Sequence, residues 1–257
     1  MTSLGFSHIG RRAAVVASAV AIVSTTACSD EATAPRSAAA PAAANLGVAG
    51  SGAIVMPRID GTIASSEWDG AALIPLQVPL PNGTTQQGNA LFMHDRQYLY
   101  MAVVFDRKSP FHANDVVGFE FDNDNDGIAE NGDDLAFMSP GTPQNVQVPG
   151  GDFYRYNGGA SSKTDVADGG TNELVVSWGT MFGTFGVFEM RKPLNSSDNA
   201  HDFSIPLSLA PWTLGVRVRV SLESDPVGSN TYVHLAKPGW TTYCKLTIYT
   251  ASTAAVC

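Results

Sequence analysis

The sequence predicts an all-β protein built as an antiparallel β-sandwich, on three observations. Apolar and polar side chains alternate with a period of two, rather than the period of about 3.6 of a helix, through much of the chain. Clusters of Gly, Asn, Asp and Pro separate these alternating runs. One run, Tyr98–Phe105, is apolar on both faces, which is typical of a central strand. Together these features favour two packed sheets of short strands.

The clearest alternation runs from Thr213 to Glu223, and its apolar side is formed by Leu214, Val216, Val218, Val220 and Leu222. Such a pattern predicts a half-buried strand. We expect Ala90–His94 to pair with the central run through a tight turn at Asp95–Gln97. Further strands are predicted over Val116–Phe121, Leu135–Met138, Glu173–Trp178, Val187–Arg191, Phe203–Ile205, Thr231–Leu235 and Cys244–Tyr249.

Residues 1–27 have the order of a secretory signal peptide. The basic pair Arg11–Arg12 precedes an apolar run over residues 13–23, which is only about half the length that crosses a bilayer as a helix. The small residues before Cys28 resemble the lipobox of bacterial lipoproteins, although Thr25 stands where Leu is usual. Lipidation of Cys28 and ordinary cleavage before it both stay open. Either way, we expect an extracytoplasmic protein, as an outer membrane lipoprotein or a secreted chain.

Residues 28–52 are rich in Ala, Pro and Ser and hold almost no large apolar side chains. This composition cannot bury enough surface to fold, so it predicts a disordered linker that holds the domain away from the membrane. Residues 53–257 are predicted to form one β-sandwich domain, since they show no internal repeat.

The formal net charge of −9 argues against two classes of partner. Nucleic acids and anionic membrane surfaces both select for basic patches, so we expect no nucleic acid and membrane contact only through a lipid anchor. Cys244 and Cys257 are the cysteines left if Cys28 carries lipid. An oxidising compartment would let them form a disulfide, with two free thiols as the alternative.

Four segments, in order along the chain, resemble the family 9 carbohydrate-binding modules and the wider group of DOMON-like β-sandwiches. The opening motif is Ile59–Ile63 followed by Glu67–Ala71; the later segments are Tyr98–Asp106, Val117–Asp122 and Phe203–Leu207. The resemblance implies a two-sheet jelly-roll-like sandwich, often stabilised by calcium, that binds sugars and commonly accompanies glycoside hydrolases. From the residues themselves, we expect Trp68 to fill one end of the core.

The densest group of acidic residues begins at Asp122, within a stretch that runs DNDNDGIAENGDD. Acidic side chains at alternate positions, with Gly in the sixth, match the calcium-binding DxDxDG loop. Calcium is bound by about 6–8 oxygen ligands. The predicted calcium ligands are Asp122, Asp124, Asp126, Ile128 (through its carbonyl), Glu130 and Asp133. Strands rather than helices flank the loop, which disfavours an EF-hand pair, and a solvated acidic hairpin is the alternative.

Exposed aromatic rings are the expected contacts for a sugar, because flat ring faces pack against its C–H surfaces. Trp178 and Trp240 lie beside glycines and are the predicted carbohydrate contacts, although each is also a common type of packing residue. The chain has no HExxH, GxSxG or CxxCH motif and no phosphate-binding loop, so we expect no enzymatic activity.

The sequence thus predicts an exported, calcium-braced module that binds carbohydrate without catalysis. Two alternatives stay open. The segment Phe188–Asn195, followed by His201–Asp202, is similar to a stretch in the haem-binding subunit of ethylbenzene-dehydrogenase-type enzymes, in which Met and Lys ligate the iron. The other alternative is a structural surface lipoprotein without a small ligand.

Overall fold

Two antiparallel β-sheets form the part of the chain that the computed structural model describes. The described residues are 56–64, 66–79, 85–106, 111–113, 115–196, 198, 200–224, 229–231 and 243–257, all within the compact unit Leu46–Cys257. The predicted signal peptide and linker, the lipidation candidate Cys28 and the sugar-contact candidate Trp240 lie outside the described residues. The predicted fold class, an all-β sandwich, is confirmed.

Within the described ranges the strands, in chain order, are β1 (Ala72–Pro79), β2 (Thr85–His94), β3 (Tyr98–Asp106), β4 (Val116–Asp122), β5 (Asp134–Met138), β6 (Val148–Pro149), β7 (Gly151–Tyr156), β8 (Ser161–Thr164), β9 (Val175–Met181), β10 (Phe185–Pro193), β11 (Trp212–Ser224), β12 (Ser229–Thr231), β13 (Cys244–Ile248) and β14 (Thr253–Val256). Two short 3-10 helices are present, Asp165–Asp168 and Leu207–Leu209.

The first sheet has the strand order β1-β2-β3-β10-β9-β6, and the second has the order β14-β13-β11-β4-β5-β7-β8, with β12 paired to β11. Strand β3 lies inside the first sheet between β2 and β10, as its two apolar faces predicted. The predicted turn between β2 and β3 is confirmed, since the Asp95 amide donates to the Tyr98 carbonyl at 3.3 Å.

The core lies between the two sheets and is built by the alternation that the sequence predicted. On β11, Leu214, Val216, Val218 and Val220 are buried, while Arg217 and Arg219 lie on the opposite face. Aromatic rings also meet across the sandwich: Phe92 of β2 and Phe119 of β4 pack edge to face with centroids 5.2 Å apart. Such pairs add about 0.5–1.5 kcal/mol beyond the area that they bury.

A second, smaller core cluster covers the outer face of the first sheet. It contains Ile59, Trp68, Met93, Tyr100 and Ala102, so Trp68 is a core residue as predicted. The buried carboxylate of Glu189 fixes the covering segment in place: its Oε2 accepts from the Gly61 amide at 2.7 Å, and its Oε1 accepts from Trp68 Nε1 at 3.2 Å. Gly61 has a φ of +82°, and a Cβ there would lie 2.5 Å from the Trp178 carbonyl oxygen.

The structure contains strands that were not predicted, β1, β6, β7, β8 and β14 among them, and one predicted strand is wrong. Apart from Thr231, the predicted strand Thr231–Leu235 lies outside the described residues. Strand β1 was not predicted, because its segment contains Pro75 and Pro79, and Pro disfavours a strand in the middle of a sheet. The structure places β1 at the edge of its sheet, where Pro is tolerated. Strands β7 and β8 were not predicted because their segment is rich in Gly and polar residues. The predicted strand Phe203–Ile205 is wrong, since only an isolated bridge joins Ser204 to Asn195 there.

The C-terminal tail is tied to the second sheet. Cys244 on β13 and Cys257 are joined by a disulfide, with Cα atoms 4.4 Å apart. Among the described residues, no helix combines the length and apolarity that crossing a membrane requires.

Candidate functional site

The acidic loop connects β4 to β5, as the sequence places it. One carboxylate oxygen each from Asp122, Asp124 and Asp126 lie within 4.8 Å of one another, which is close enough for a shared metal ion. The loop curls because side-chain oxygens accept backbone N–H groups: Asp122 Oδ2 accepts from Gly127 at 2.8 Å, and Asp126 Oδ1 accepts from Ile128 at 2.7 Å. Three of the predicted calcium ligands are therefore brought together.

The other predicted ligands occupy different positions. Asp133 is buried, and its carboxylate accepts from the amides of Asn123 at 3.2 Å and Glu130 at 2.9 Å. Burial raises the pKa of Asp133 to about 6. The side chains of Glu130 and Ile128 are exposed. Asp133 thus closes the loop by accepting these two backbone hydrogen bonds, and it is not one of the three carboxylates that converge.

The structure corrects the prediction for Trp178. Its side chain is 6% exposed, its indole Nε1 donates to the Thr142 carbonyl at 2.8 Å, and its ring stacks on Phe188 with centroids 6.3 Å apart. Phe111 packs edge-on against the same indole at 5.9 Å. Because it lies in the core, Trp178 offers no open ring face to a sugar. The prediction for Trp240 stays a prediction.

Glu120 and three arginines form a charged group on the outer face of the second sheet. The side chain of Glu120 is 3% exposed, and its Oε2 accepts from Arg217 Nε at 2.9 Å and lies 3.0 Å from Arg155 Nη2. Its Oε1 accepts from Arg219 Nη1 at 2.7 Å. Burial alone would raise the pKa of Glu120, but the positive charges of Arg219, Arg217 and Arg155 outweigh burial and hold it below its ordinary value. The carboxylate therefore fixes three guanidinium groups in one place.

Two phenylalanines extend this group across the same face of the sheet. Phe137 of β5 pairs with Gly118 of β4, and the guanidinium of Arg219 lies 5.6 Å from the centroid of the Phe137 ring. Phe153 of β7 lies beside Phe137, with ring centroids 6.0 Å apart. Both rings are half-buried. We call this surface the arginine–phenylalanine face; it consists of Glu120, Phe137, Phe153, Arg155, Arg217 and Arg219.

Glycine in the strands beneath makes room for the aromatic rings. A Cβ on Gly118 would lie 2.0 Å from Phe137 Cδ1 and 2.3 Å from the Ala136 carbonyl oxygen. The ring therefore lies down against the sheet, over the glycine. A groove of about 460 Å³ adjoins the face and is lined in part by Phe137, Gly151 and Phe153. Its volume falls in the range of about 300–1,000 Å³ that is usual for small-ligand sites.

The sequence does not predict this face, because each of its residues is of an ordinary type for its own strand. The antiparallel register brings them together: Arg217 pairs with Glu120 across β11 and β4, and Leu135 pairs with Phe153 across β5 and β7. One feature of the sequence indicates part of this face. Arg217 and Arg219 share the polar side of the clearest alternating strand, opposite the core.

The acidic loop and the arginine–phenylalanine face are directly connected through backbone hydrogen bonds. The Arg155 amide donates to the Asp133 carbonyl at 2.8 Å, and the Gly132 amide donates to the Arg155 carbonyl at 2.9 Å. Asn131 Oδ1 also accepts from the Gly158 amide at 2.7 Å. The end of the loop therefore sets the position of the strand that carries Arg155.

A second group of charges is buried around Lys192 on the inner side of the sandwich. The ammonium lies 2.9 Å from Asp134 Oδ2 and 2.5 Å from Asp202 Oδ1, and it also contacts Asp152; all four side chains are fully buried. Burial opposes the charge on Lys192, but the three carboxylates raise its pKa. Burial and the neighbouring carboxylates raise the pKa of Asp165, next to this group, to about 8. Haem ligation by Lys192 would require these ion pairs to break.

Comparisons with known proteins find similarity only at the level of architecture. No protein-family model and no curated protein matches the chain. The structure is similar to that of a family 9 carbohydrate-binding module from Caldicellulosiruptor kristjanssonii in complex with cellotriose: identity is 15%, the TM-score is 0.43, and the match covers 66% of this chain and 74% of that one. It is also similar to such a module from the same organism in complex with glucose, at 16% identity and a TM-score of 0.41, covering 66% of this chain and 76% of that one.

Proposed function

We propose that this chain is an exported, non-catalytic module that binds carbohydrate on its arginine–phenylalanine face. The observation that carries the proposal is the joint presence of aromatic rings and a fixed guanidinium–carboxylate group on one sheet face. Phe137 and Phe153 are half-buried there, and Glu120 holds Arg155, Arg217 and Arg219 beside them.

This combination suits a sugar for chemical reasons. Aromatic ring faces pack against the C–H surfaces of a pyranose, and planar guanidinium groups offer paired N–H donors to neighbouring hydroxyls. Because Glu120 already orients the arginines, little side-chain entropy is lost when a ligand binds. The adjoining groove of about 460 Å³ gives room for a second sugar unit.

The test is a screen of the purified full chain against plant and bacterial glycans, including cellotriose and glucose, the ligands of the two solved modules. We expect binding that Phe153→Ala weakens at least about tenfold. The matched control is Phe182→Ala, because Phe182 is 84% exposed at the β9–β10 turn, away from the face. Trp240→Ala tests the sequence prediction separately. Silence across the whole panel would contradict the proposal and favour a structural lipoprotein.

We further propose that calcium binds the acidic loop and braces the face. The support is the convergence of Asp122, Asp124 and Asp126, together with the backbone hydrogen bonds between the loop and Arg155. When the free calcium concentration is 100 times the Kd of the site, binding stabilises the folded state by about 2.7 kcal/mol. We expect calcium to raise the Tm of chelator-treated chain, and Asp124→Asn to reduce that rise. An unchanged Tm on adding calcium would contradict the proposal.

Export and lipid anchoring complete the proposal, and they rest on the leader, on Cys28 and on the disulfide that an oxidising compartment would allow. The mass of the mature protein from membranes distinguishes the two forms of processing. A diacylated Cys28 supports the lipoprotein, whereas a free N-terminus at that position supports ordinary secretion. Haem binding, the other alternative, predicts a Soret band after reconstitution.

A further inference from the structure

A second group of three aspartates lies outside the acidic loop. One carboxylate oxygen each from Asp165, Asp198 and Asp202 lie within 4.8 Å of one another. Asp165 begins the 3-10 helix after β8, whereas Asp198 and Asp202 lie on the segment between β10 and β11. Two distant parts of the chain therefore meet at these carboxylates.

The neighbouring triad shows what such a group requires. Asp134, Asp152 and Asp202 also have oxygens within 4.8 Å of one another, and the ammonium of Lys192 lies among them. Asp202 belongs to both triads. Because buried like charges repel strongly in a medium of low dielectric constant, a triad of ionised carboxylates is stable only with a positive charge at its centre, and otherwise one of its carboxyl groups takes up a proton. Lys192 contacts all three carboxylates of the first triad, whereas in the second triad it forms an ion pair with Asp202 alone.

Asp165 gives an independent sign that a ligand is required. Its side chain is fully buried, and within the described residues neither of its carboxylate oxygens has a hydrogen-bond partner. An ionisable group buried in this way is rare unless it is paired or coordinates a metal. Its oxygen points toward Asp198 and Asp202, which is the direction from which a cation would bind it.

Other contacts fix the orientation of the Asp198 carboxylate. Its Oδ2 accepts from the Thr171 amide at 2.9 Å, and its Oδ1 lies 2.6 Å from His201 Nδ1. The imidazole of His201 packs in turn against the Tyr154 ring, with centroids 4.3 Å apart. The orientation of this carboxylate is therefore fixed before any ion arrives, which is a common feature of metal ligands.

We propose that Asp165, Asp198 and Asp202 form a buried site for a hard divalent cation of the calcium class, distinct from the acidic loop. The donors are all carboxylate oxygens, which suit calcium rather than a thiolate- or imidazole-preferring metal. The bound ion joins the segment after β8 to the segment before β11, and so locks the inner side of the second sheet.

The test compares calcium binding by the chelator-treated full chain with binding by single variants, using calorimetry and metal analysis. Asp165→Asn tests this site, Asp124→Asn tests the acidic loop, and Asp69→Asn, on an exposed turn, is the control. We expect Asp165→Asn to lose one equivalent of calcium, or to bind it at least about 10–100-fold more weakly, since that is the loss on mutating a residue that only supports a ligand.

A variant that fails to fold can be distinguished from one that has lost the calcium site, because the two differ in their calcium-free Tm. Asp165 has no hydrogen bond to lose within the described residues, so we expect Asp165→Asn to keep the calcium-free Tm of the wild type while losing part of the calcium-induced rise. The proposal is overturned if Asp165→Asn keeps the wild-type stoichiometry and the full rise in Tm. The two calcium proposals separate cleanly: binding lost in Asp165→Asn but kept in Asp124→Asn supports this site alone.

Discussion

Replacing Glu120 by Gln tests how the arginine–phenylalanine face is built. The substitution keeps the shape of the side chain but removes the charge that faces Arg155, Arg217 and Arg219. Breaking a fully buried ion pair costs about 3–5 kcal/mol. Here the arginine side chains are 13%, 17% and 34% exposed, so water can solvate part of the released charge. We therefore expect a loss of about 2–3 kcal/mol, since Gln still accepts one hydrogen bond.

The assay is urea unfolding of the wild type and the variant at neutral pH, with thermal melting as a second probe. For a domain of this size, 2–3 kcal/mol corresponds to a fall in Tm of about 4–12 °C. We also expect weaker glycan binding, because the guanidinium groups lose their common anchor. A loss of stability below about 1 kcal/mol, the value for a surface ion pair, would show that Glu120 does not act as a buried anchor for the arginines.

The pH dependence of stability gives a further check on Glu120. Its pKa in the folded state is held below the ordinary value of 4.5, so its stabilising contribution is complete above that pH and is lost as the pH falls through the folded-state pKa. The difference between wild type and Glu120→Gln should therefore be largest near neutral pH and should shrink toward pH 3. A difference that stays constant across this window would contradict the assignment.

Three other substitutions test contacts that stabilise the sandwich around the site. Lys192→Met, measured in chelator, should cost about 3–5 kcal/mol in urea unfolding, because it leaves buried carboxylates without their ammonium; a loss under about 1 kcal/mol would count against the ion cluster. Gly118→Ala places a Cβ 2.0 Å from Phe137 Cδ1, so it should displace that ring. We expect it to lower stability by about 1–3 kcal/mol and to lower glycan affinity as well. Unchanged binding would show that Phe137 does not contact the ligand. Cys257→Ser opens the disulfide to Cys244, which should cost about 3 kcal/mol for a loop of this length, and a reducing agent should destabilise the wild type but not the variant.

The fold was predictable to the extent that its strands alternate. Strand β11 followed from the sequence because one of its faces packs in the core and the other does not, which forces a period of two. Strand β1 alternates equally well in the structure, yet its prolines masked it, since an edge position is not visible in a sequence. Segment Phe203–Ile205 has strand composition but pairs only through Ser204, so composition without a partner misled the prediction.

The candidate sites divide in the same way. The acidic loop was predictable because its ligands are neighbours in sequence, and the structure brings Asp122, Asp124 and Asp126 together. The arginine–phenylalanine face and the triad of Asp165, Asp198 and Asp202 depend on strand register and loop packing, which a single sequence does not specify. Trp178 was chosen for its glycine neighbours, but those glycines permit close packing around a core residue rather than exposure.

Calorimetric titration of the best glycan from the screen into wild type, Phe153→Ala and Phe182→Ala tests whether the ligand binds at the arginine–phenylalanine face. Phe182→Ala should bind as the wild type does, whereas Phe153→Ala should bind at least about tenfold more weakly, since truncating an aromatic residue that anchors an interface costs about 2 kcal/mol or more. Equal affinities for all three proteins would contradict the assignment of the ligand to the arginine–phenylalanine face.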